Sequence, residues 1–272
     1  MSLKVTILGS GTSGGTPRIG NRWGACDPAN SKNRRLRCSL LVQRETADGV
    51  TTVLVDTSPD LRQQLLDAGV GWIDGVLYTH DHADHVHGID DLRMVAFNGE
   101  RRVDVYYDPH TGQQLHDRFR YCFETPANGE YPAILRGHEI RPGATVKIEG
   151  AGGTIEALPF RQRHGSGFSL GFRFGGLAYS PDVSDLPEES LSALQDLDVW
   201  IVDALRYTPH PSHFSLEQAL SWIARVKPKR AILTHMHLDL DYATLCRELP
   251  TNVEPAYDGM VLEAEDGARH AD

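Results

Sequence analysis

Val76-Leu77-Tyr78-Thr79-His80-Asp81-His82-Ala83-Asp84-His85 is a run that passes from an apolar strand directly into three imidazoles and two carboxylates. Alternate residues that leave a strand end can point the same way, so we expect His80 and His82 to bind one ion while Asp84 and His85 bind a second. Histidine and carboxylate ligands suit zinc, manganese or iron. A polar surface loop is the alternative, but this density of ligands favours a metal site.

Apolar runs typical of strands recur along the chain and alternate with helical patterns, which indicates a mixed α/β fold. Ser58-Pro59 predicts a helix start whose apolar face carries Leu61, Leu65 and Leu66, and Ser215 with Gln218 forms a capping box that opens a second helix. The predicted strands are Lys4 to Gly9, Thr52 to Asp56, Gly75 to Tyr78, Val103 to Tyr106, Thr154 to Leu158, Leu170 to Phe174, Val199 to Asp203 and Ala231 to Leu233.

The domain organisation is predicted to be a single domain over residues 1-272, because no internal repeat, low-complexity tract or linker interrupts the chain. The least regular part is Asn98 to Pro142. It reads either as an insertion with loops that flank a site, or as an ordinary helix with two strands.

Composition and charge exclude several classes of protein. The apolar fraction is 40% and the charged fraction 24%, and no run approaches the roughly 20 apolar residues that cross a bilayer, so no membrane association is expected. A formal net charge of -10 disfavours long nucleic acid as a partner and favours a small-molecule substrate. The first residues lack the pattern of a secretory signal, and the four scattered cysteines predict free thiols, so we expect a cytoplasmic protein.

The HxHxDH motif after a strand resembles the metallo-β-lactamase superfamily, and the resemblance extends over nearly the whole chain. It implies a four-layer αββα sandwich. Within the superfamily, the chain is most similar to the cyclic phosphodiesterase group of the carbon–phosphorus lyase pathway and to the tRNA 3′-processing ribonucleases.

The resemblance also implies roles for residues that are unremarkable by themselves. Asp56, which closes an earlier strand, matches the carboxylate that orients a ligand by accepting a ring N–H. His164 matches a lone histidine ligand, and Asp182 matches a carboxylate that bridges two ions. His235 matches the last ligand of the second ion. The implied ligand sets are His80, His82, His164 and Asp182 for one ion, and Asp84, His85, Asp182 and His235 for the other. Two divalent ions per chain, Zn²⁺ or Mn²⁺, are therefore expected.

The kind of hydrolase depends on residues outside the ligand sets. His213 lies in His210-Pro211-Ser212-His213-Phe214-Ser215, a segment similar to one in the two phosphate-cleaving groups, where the histidine is the general acid. Such an acid protonates an alkoxide leaving group and contributes about 10²- to 10⁴-fold in rate. Asp84 is the second predicted catalytic residue, because it would hold an ion and orient the attacking water. Arg206 is placed to bind a phosphate oxygen, although an ordinary surface arginine would look the same.

The preferred prediction is therefore a phosphodiesterase for a small cyclic phosphate or a nucleotide-like diester. The alternatives are a tRNA 3′-processing endoribonuclease, a thioester or lactone hydrolase, and a non-enzymatic metal-binding protein. The resemblance also implies a possible homodimer.

The sequence departs from the cyclic phosphodiesterase group at its structural zinc, which binds several nearby cysteines and a histidine. Only Cys26 occupies the corresponding loop of this chain, which leaves its part in any structural metal site open. The nearby glycine-rich loop Gly9 to Thr16 is either a structural turn or a place where backbone N–H groups approach an anion.

Overall fold

A computed structural model describes residues 2–127, 129 and 131–266 of the chain. The strands are β1 (Ser2–Gly9), β2 (Ser39–Thr46), β3 (Gly49–Val55), β4 (Gly75–Leu77), β5 (Val103–Tyr107), β6 (Leu135–Glu139), β7 (Val146–Ile148), β8 (Ile155–His164), β9 (Gly167–Phe174), β10 (Leu177–Ser180), β11 (Val199–Asp203), β12 (Arg230–Thr234), β13 (Val253–Pro255) and β14 (Met260–Glu265). The α-helices are α1 (Leu61–Ala68), α2 (Ala83–Val86), α3 (Leu92–Gly99), α4 (Pro109–Phe123), α5 (Leu216–Val226) and α6 (Tyr242–Glu248).

The strands form two mixed sheets of seven strands each. The first has the order β14-β1-β2-β3-β4-β5-β6, and the second has the order β13-β12-β11-β10-β9-β8-β7. Pairing in the first sheet is antiparallel from β14 to β3 and parallel from β3 to β6. In the second sheet, pairing is parallel from β13 to β10 and antiparallel from β10 to β7.

The two sheets are packed face to face with helices outside. On β3, Val53 and Val55 belong to the core that also contains Phe172 of the second sheet, whereas Leu54 belongs to a second core with Leu61 of α1. This alternation follows from the two-residue period of a strand, which buries both faces of β3. Helices α1, α3 and α4 contribute to that second core, while α5 and α6 contribute to the first. The architecture is the four-layer αββα sandwich, and the prediction of fold class is confirmed.

The parallel parts of both sheets bring the carboxyl ends of their strands to one edge of the sandwich. Asp56 directly follows β3, and the loop that begins the HxHxDH motif follows β4. In the second sheet, Asp182 lies two residues after β10, and His235 directly follows β12. Open α/β sheets bind ligands outside the carboxyl ends of their strands, so this edge is where a site is expected.

Several predicted elements differ from the observed ones. Helix α1 begins at Leu61 rather than after Ser58, and its N-cap residue Asp60 makes no capping hydrogen bond. The Asp60 carboxylate instead binds the backbone N–H and the Nε of Arg37, at 2.9 and 3.0 Å. Leu66, predicted on the buried face, is 59% exposed. The capping box of Ser215 and Gln218 at the start of α5 is confirmed.

The described part of the segment from residue 98 to residue 142 contains β5, α4 and β6, and its residues 108–110 and 140–142 flank a cavity, so both predicted alternatives apply in part. Strands β2, β6, β7, β10, β13 and β14 are not among the eight strands predicted from the sequence. Three of them have only three or four residues, which is too short for a periodic pattern to be recognised. Within the described part of the chain, no helix combines the length and the hydropathy that a membrane crossing requires.

Candidate metal centre

The first predicted ligand group is assembled from three separate elements. His80 and His82 follow β4, His164 ends β8, and Asp182 follows β10. One potential ligand atom from each of these residues lies within 4.8 Å of the others. The Nε2 atoms of His80 and His164 each lie 3.7 Å from Oδ2 of Asp182. The structure therefore brings together four residues that are up to 102 positions apart in the sequence (182 − 80).

The second predicted group shares Asp182 with the first. Oδ1 of Asp182 lies 3.0 Å from Nε2 of His85 and 3.5 Å from Nε2 of His235. Asp84 completes this group, because its Oδ2 lies 3.6 Å from Nε2 of His85 and 3.6 Å from Nε2 of His235. One oxygen of Asp182 therefore faces each histidine group, which is the arrangement that a bridging carboxylate needs.

His85 and His80 are each hydrogen-bonded through Nδ1, on the side of the ring away from Asp182. The Asp56 carboxylate accepts from Nδ1 of His85 at 2.7 Å and from the backbone N–H and hydroxyl of Thr79, both at 2.8 Å. Because the Thr79 hydroxyl donates to Asp56, it accepts from Nδ1 of His80, at 2.9 Å. Because Nδ1 of each ring is engaged, Nε2 is the nitrogen that both histidines direct at Asp182, and it is the nitrogen that would bind a metal ion.

His164 is oriented in the same way by backbone. Its Nδ1 donates to the carbonyl oxygen of Ser212 at 2.7 Å, and its Nε2 lies 3.2 Å from Nδ1 of His82. The next residue, Gly165, has a positive φ of 60°, and an added Cβ would lie 3.1 Å from Cβ of Ser212. A side chain at this position would strain the backbone and crowd the segment that supports His164.

Two residues that are not glycine also adopt a left-handed backbone at the ends of site strands. Asp56 has a φ of 64° and His235 has a φ of 56°. Such conformations cost of order 1–3 kcal/mol each and persist only where the surroundings enforce them. At both positions the turn ends the strand, and the side chain lies in the site.

The donor set fits metal ions. Four atoms that face the shared space are buried and have no hydrogen-bond partner among the described residues: Nε2 of His80, His85 and His235, and Oδ1 of Asp182. A buried polar group without a partner costs about 1–3 kcal/mol, and four of them in one cluster call for a ligand that satisfies all of them. Mixed imidazole and carboxylate donors are typical ligands of divalent transition metals.

The charges in the cluster are strongly coupled. Burial by itself raises the pKa of Asp182, but His235 and His85 outweigh that effect and hold its pKa well below the usual range. Burial lowers the pKa of His164 to about 4, although Asp182 offsets part of the shift. Burial also lowers the pKa of His80. Neutral His164 and His80 beside an ionised Asp182 are in the protonation states that bind a cation.

His213 lies beside the shared carboxylate, but a different residue holds it. Its Nδ1 donates to Oδ2 of Asp203 at 2.7 Å, and its Nε2 lies 3.9 Å from Oδ2 of Asp182. Asp203 is fully buried at the end of β11 and also accepts the backbone N–H of Val183 at 3.1 Å. Burial lowers the pKa of His213, and the Asp182 carboxylate opposes that shift.

Asp203 is a residue of the site that was not predicted from the sequence. Its other oxygen, Oδ1, lies 3.8 Å from Nδ1 of His235, so one carboxylate stands behind both His213 and a predicted ligand. A usable signal was present, because Asp203 ends an apolar strand in the same way that Asp56 follows one. The two carboxylates support the site from opposite sheets.

Arg206 does not have its guanidinium free. Its Nε donates to the carbonyl of Thr208 at 3.2 Å, and its Nη2 donates to the carbonyl of Pro209 at 2.9 Å. These bonds shape the loop that leads to His213. Contact with a substrate phosphate remains a prediction for Arg206.

The glycine-rich loop of residues 9–16 uses many of its backbone N–H groups within the protein. Ser10 donates to Asp258, Gly11 donates to the Leu36 carbonyl, and Gly15 donates to the Thr12 carbonyl. These bonds favour the structural turn over the anion-binding alternative.

Cys26 is buried next to a cation rather than next to other metal ligands. The guanidinium Nη1 of the fully buried Arg35 lies 3.8 Å from its Sγ, and the thiol donates to the carbonyl of Leu240 at 3.5 Å. Among the described residues, no group of potential metal ligands includes Cys26. The positive charge of Arg35 disfavours a metal ion at this position.

An αββα sandwich with two imidazole and carboxylate groups at its strand ends defines a metal-dependent hydrolase. The family comparison agrees: a model of the beta-lactamase superfamily domain matches residues 51–236, and the chain belongs to this superfamily. A solved structure described as a new diphosphatase from the PhnP family is 36% identical, with a TM-score of 0.86 over 97% of this chain and 98% of the other.

Two further similar proteins differ more from this chain, one in its length and the other in its sequence. An octanoyltransferase of Porphyromonas gingivalis is 34% identical over 265 residues, which is 95% of this chain and 51% of the relative. The chain thus spans about half the length of that protein. The short form of human tRNase Z is 17% identical with a TM-score of 0.59, covering 95% of this chain and 98% of the other, and it shows the fold alone. The predicted resemblance to the metallo-β-lactamase superfamily is confirmed.

Proposed function

We propose that this protein hydrolyses a small phosphodiester or a diphosphate that bridges two organic groups, with two divalent ions, Zn²⁺ or Mn²⁺, in the two ligand groups. In such a diphosphate, each phosphorus carries two bridging oxygens, as the phosphorus of a phosphodiester does. The observation that carries the proposal is the position of His213, whose Nε2 lies 3.9 Å from the carboxylate shared by both groups. The 36% identical diphosphatase supports phosphate chemistry.

The residues divide the work as follows. His80, His82, His164 and Asp182 hold one ion, and Asp84, His85, Asp182 and His235 hold the other. When bound, such ions supply Lewis acidity toward the phosphoryl oxygens and toward water. Asp84 is only partly buried, so it is accessible to orient the attacking water as well as to bind an ion.

His213 acts as the general acid and Asp203 positions it. The oxygen of water forms a bond to phosphorus, and the bond from phosphorus to the leaving oxygen breaks with its electron pair. The leaving oxygen takes a proton from Nε2 of His213, and water supplies the balancing proton to solvent, from which His213 is protonated again. Because Nδ1 of His213 donates to Asp203, Nε2 is the nitrogen that faces the reaction.

The small size of the substrate is supported by charge and volume. The net charge of -10 opposes a long polyanion, and the cavity beside the first ligand group has a volume of about 880 Å³. Cavities of about 300–1,000 Å³ typically hold single small molecules.

Metal analysis and a substrate panel test the proposal. The protein is supplemented with Zn²⁺ or Mn²⁺, and we expect about two ions per chain together with hydrolysis of bis(p-nitrophenyl) phosphate, a 2′,3′-cyclic nucleotide or a dinucleoside diphosphate. Asp182→Asn, which keeps the size of the bridging residue and removes its charge, should lose at least one ion and the activity. Full metal occupancy with hydrolysis of acyl thioesters but of no phosphate ester would contradict the proposal.

A further inference from the structure

The cavity of about 880 Å³ continues from the first ligand group into a pocket with walls from three other parts of the fold. His82 is exposed and lines the pocket. The lining also contains Arg141, in the segment after β6, Arg161, on β8, and Phe168, on β9. None of these three residues has a part in the metal centre described above.

Two arginines line this pocket, Arg141 and Arg161, although the chain as a whole is acidic. No described residue places a carboxylate within 4.0 Å of the guanidinium of Arg141 or Arg161. The two carboxylates that line the pocket are already bound elsewhere: Asp81 pairs with Arg118 at 2.6 Å, and Asp108 caps α4 by accepting from the N–H of His110 at 2.8 Å. Two arginines without acidic partners beside a metal centre favour an anionic ligand.

The same pocket offers a flat surface. The side chain of Phe168 is 46% exposed, and the guanidinium carbon of Arg161 lies 4.5 Å from the centre of its ring. An aromatic ring next to a planar guanidinium is a surface on which nucleobases stack, typically for about 1–3 kcal/mol per base. Arg163 lies 5.0 Å from the ring of Phe168 as well, but it does not line the pocket.

We infer that this pocket binds the non-reacting part of a nucleotide substrate: Arg141 and Arg161 bind its second phosphate, and Phe168 with Arg161 stacks its base. The inference rests on the proposed function and narrows it to nucleoside diphosphate derivatives, in which a phosphate adjoins the one that reacts. The pocket opens directly onto His80, His82 and His164, so a phosphate at the ligand groups and its neighbour in the pocket belong to one short molecule.

Binding of ADP and of inorganic pyrophosphate to the metal-loaded protein tests the inference by isothermal titration calorimetry. We expect Arg141→Ala and Arg161→Ala to bind ADP at least 10-fold more weakly than the wild type. Arg163→Ala is the matched control, because it removes the same charge from the same region outside the pocket, and we expect its affinity to stay within 2-fold. Phe168→Ala should weaken the affinity for ADP at least 5-fold and leave the affinity for pyrophosphate unchanged.

Equal ADP affinity in all five proteins, or an equal loss in all three arginine variants, would overturn the inference. Turnover of bis(p-nitrophenyl) phosphate, which has no second phosphate, tests the proposed function separately. If the wild type hydrolyses bis(p-nitrophenyl) phosphate but the ADP affinity does not change in the Arg141 and Arg161 variants, the pocket assignment is wrong and the proposed function stands. If ADP affinity depends on the arginines but no phosphate ester is cleaved, the proposed function is wrong and the pocket assignment stands.

Discussion

Asp56 and Asp203 perform matching tasks on the two sheets. Each is fully buried and accepts the Nδ1 proton of a histidine at 2.7 Å, His85 for Asp56 and His213 for Asp203. A carboxylate behind an imidazole fixes which nitrogen carries the proton and makes the other nitrogen more basic. The same local chemistry therefore supports a predicted metal ligand in one case and a proposed proton donor in the other. What differs is the position of the ring relative to Asp182.

The first prediction concerns the role of His213. We expect His213→Ala to lower kcat by about 10²- to 10⁴-fold on a 2′,3′-cyclic nucleotide, whose alkoxide leaving group needs a proton. On bis(p-nitrophenyl) phosphate we expect a loss of less than about 10-fold, because a nitrophenolate leaves without protonation. Asp203→Asn should show the same dependence on the leaving group in weaker form. Steady-state kinetics at matched metal content measure both effects.

His210→Ala is the control for this prediction, since its ring centre lies 5.2 Å from that of His213 but its Nδ1 is bound by Ser212. We expect its rates to stay within 3-fold of the wild type on both substrates. A loss of equal size on the two leaving groups in His213→Ala would show that His213 has a structural role rather than an acid role.

Helix α5 starts directly after the loop that carries His213. Ser215 accepts the backbone N–H of Gln218 at 3.2 Å, and the Gln218 side chain accepts the backbone N–H of Ser215 at 2.9 Å. The N–H of Leu216 donates to the Arg206 carbonyl at 2.8 Å, which ties the helix start to the strand end after β11. The capping box therefore sets the direction in which the chain leaves the site.

The second prediction is that Ser215→Ala lowers the free energy of unfolding by about 0.5–2 kcal/mol, because it removes the side-chain acceptor of the Gln218 N–H at the helix start. Urea unfolding followed by circular dichroism measures the change. Ser221→Ala is the matched control, since Ser221 lies exposed within the same helix, and we expect no loss there. Equal stability of the two variants would contradict the importance of the cap.

At the scale of the whole molecule, Asp258 joins segments from both ends of the chain. Its Oδ1 accepts the backbone N–H and the hydroxyl of Ser10, at 2.9 and 2.8 Å, and its Oδ2 accepts the N–H of Leu36 at 2.6 Å. Burial raises the pKa of Asp258 to about 7, although these hydrogen bonds offset part of the shift. A carboxyl group whose pKa is higher in the folded state links stability to pH.

The third prediction follows from the sign of that shift. The pKa of an aspartate in the unfolded chain is about 3.9, so the folded protein holds more protons between about pH 4 and pH 7. The contribution of Asp258 to the free energy of unfolding is therefore full at low pH, is lost as the pH rises to about 7 and is constant above. Because asparagine does not titrate, Asp258→Asn should be more destabilising at pH 5 than at pH 8, by on the order of 1–3 kcal/mol.

Urea titrations of the metal-free protein at the two pH values measure this difference without the pH dependence of metal binding. Asp48→Asn, in the exposed turn between β2 and β3, is the control and should show the same small effect at both pH values. An Asp258→Asn effect that does not change with pH would show that Asp258 is ionised throughout this range.

Local patterns in the sequence were sufficient for a mixed α/β fold and for the ligands of the HxHxDH motif, and the family resemblance supplied the four-layer sandwich. Residues 80 to 85 lie within six positions of one another, so their spacing alone predicts a site with two ions. The more distant ligands His164, Asp182 and His235 were assigned by resemblance, and the structure brings them to the same strand ends. The capping box of α5 was also predicted from the sequence, because its hydrogen bonds join residues only three positions apart.

Tertiary structure alone assigned the remaining roles, because they depend on residues that meet through sheet packing. The sequence shows only that Asp203 ends an apolar strand, and the fold places its two oxygens behind His213 and His235. The pocket of Arg141, Arg161 and Phe168 has no local motif either, since it forms where a segment after the first sheet approaches two strands of the second. A short motif encodes the ligands of a metal ion, whereas the surface that selects a substrate is distributed over the whole sandwich.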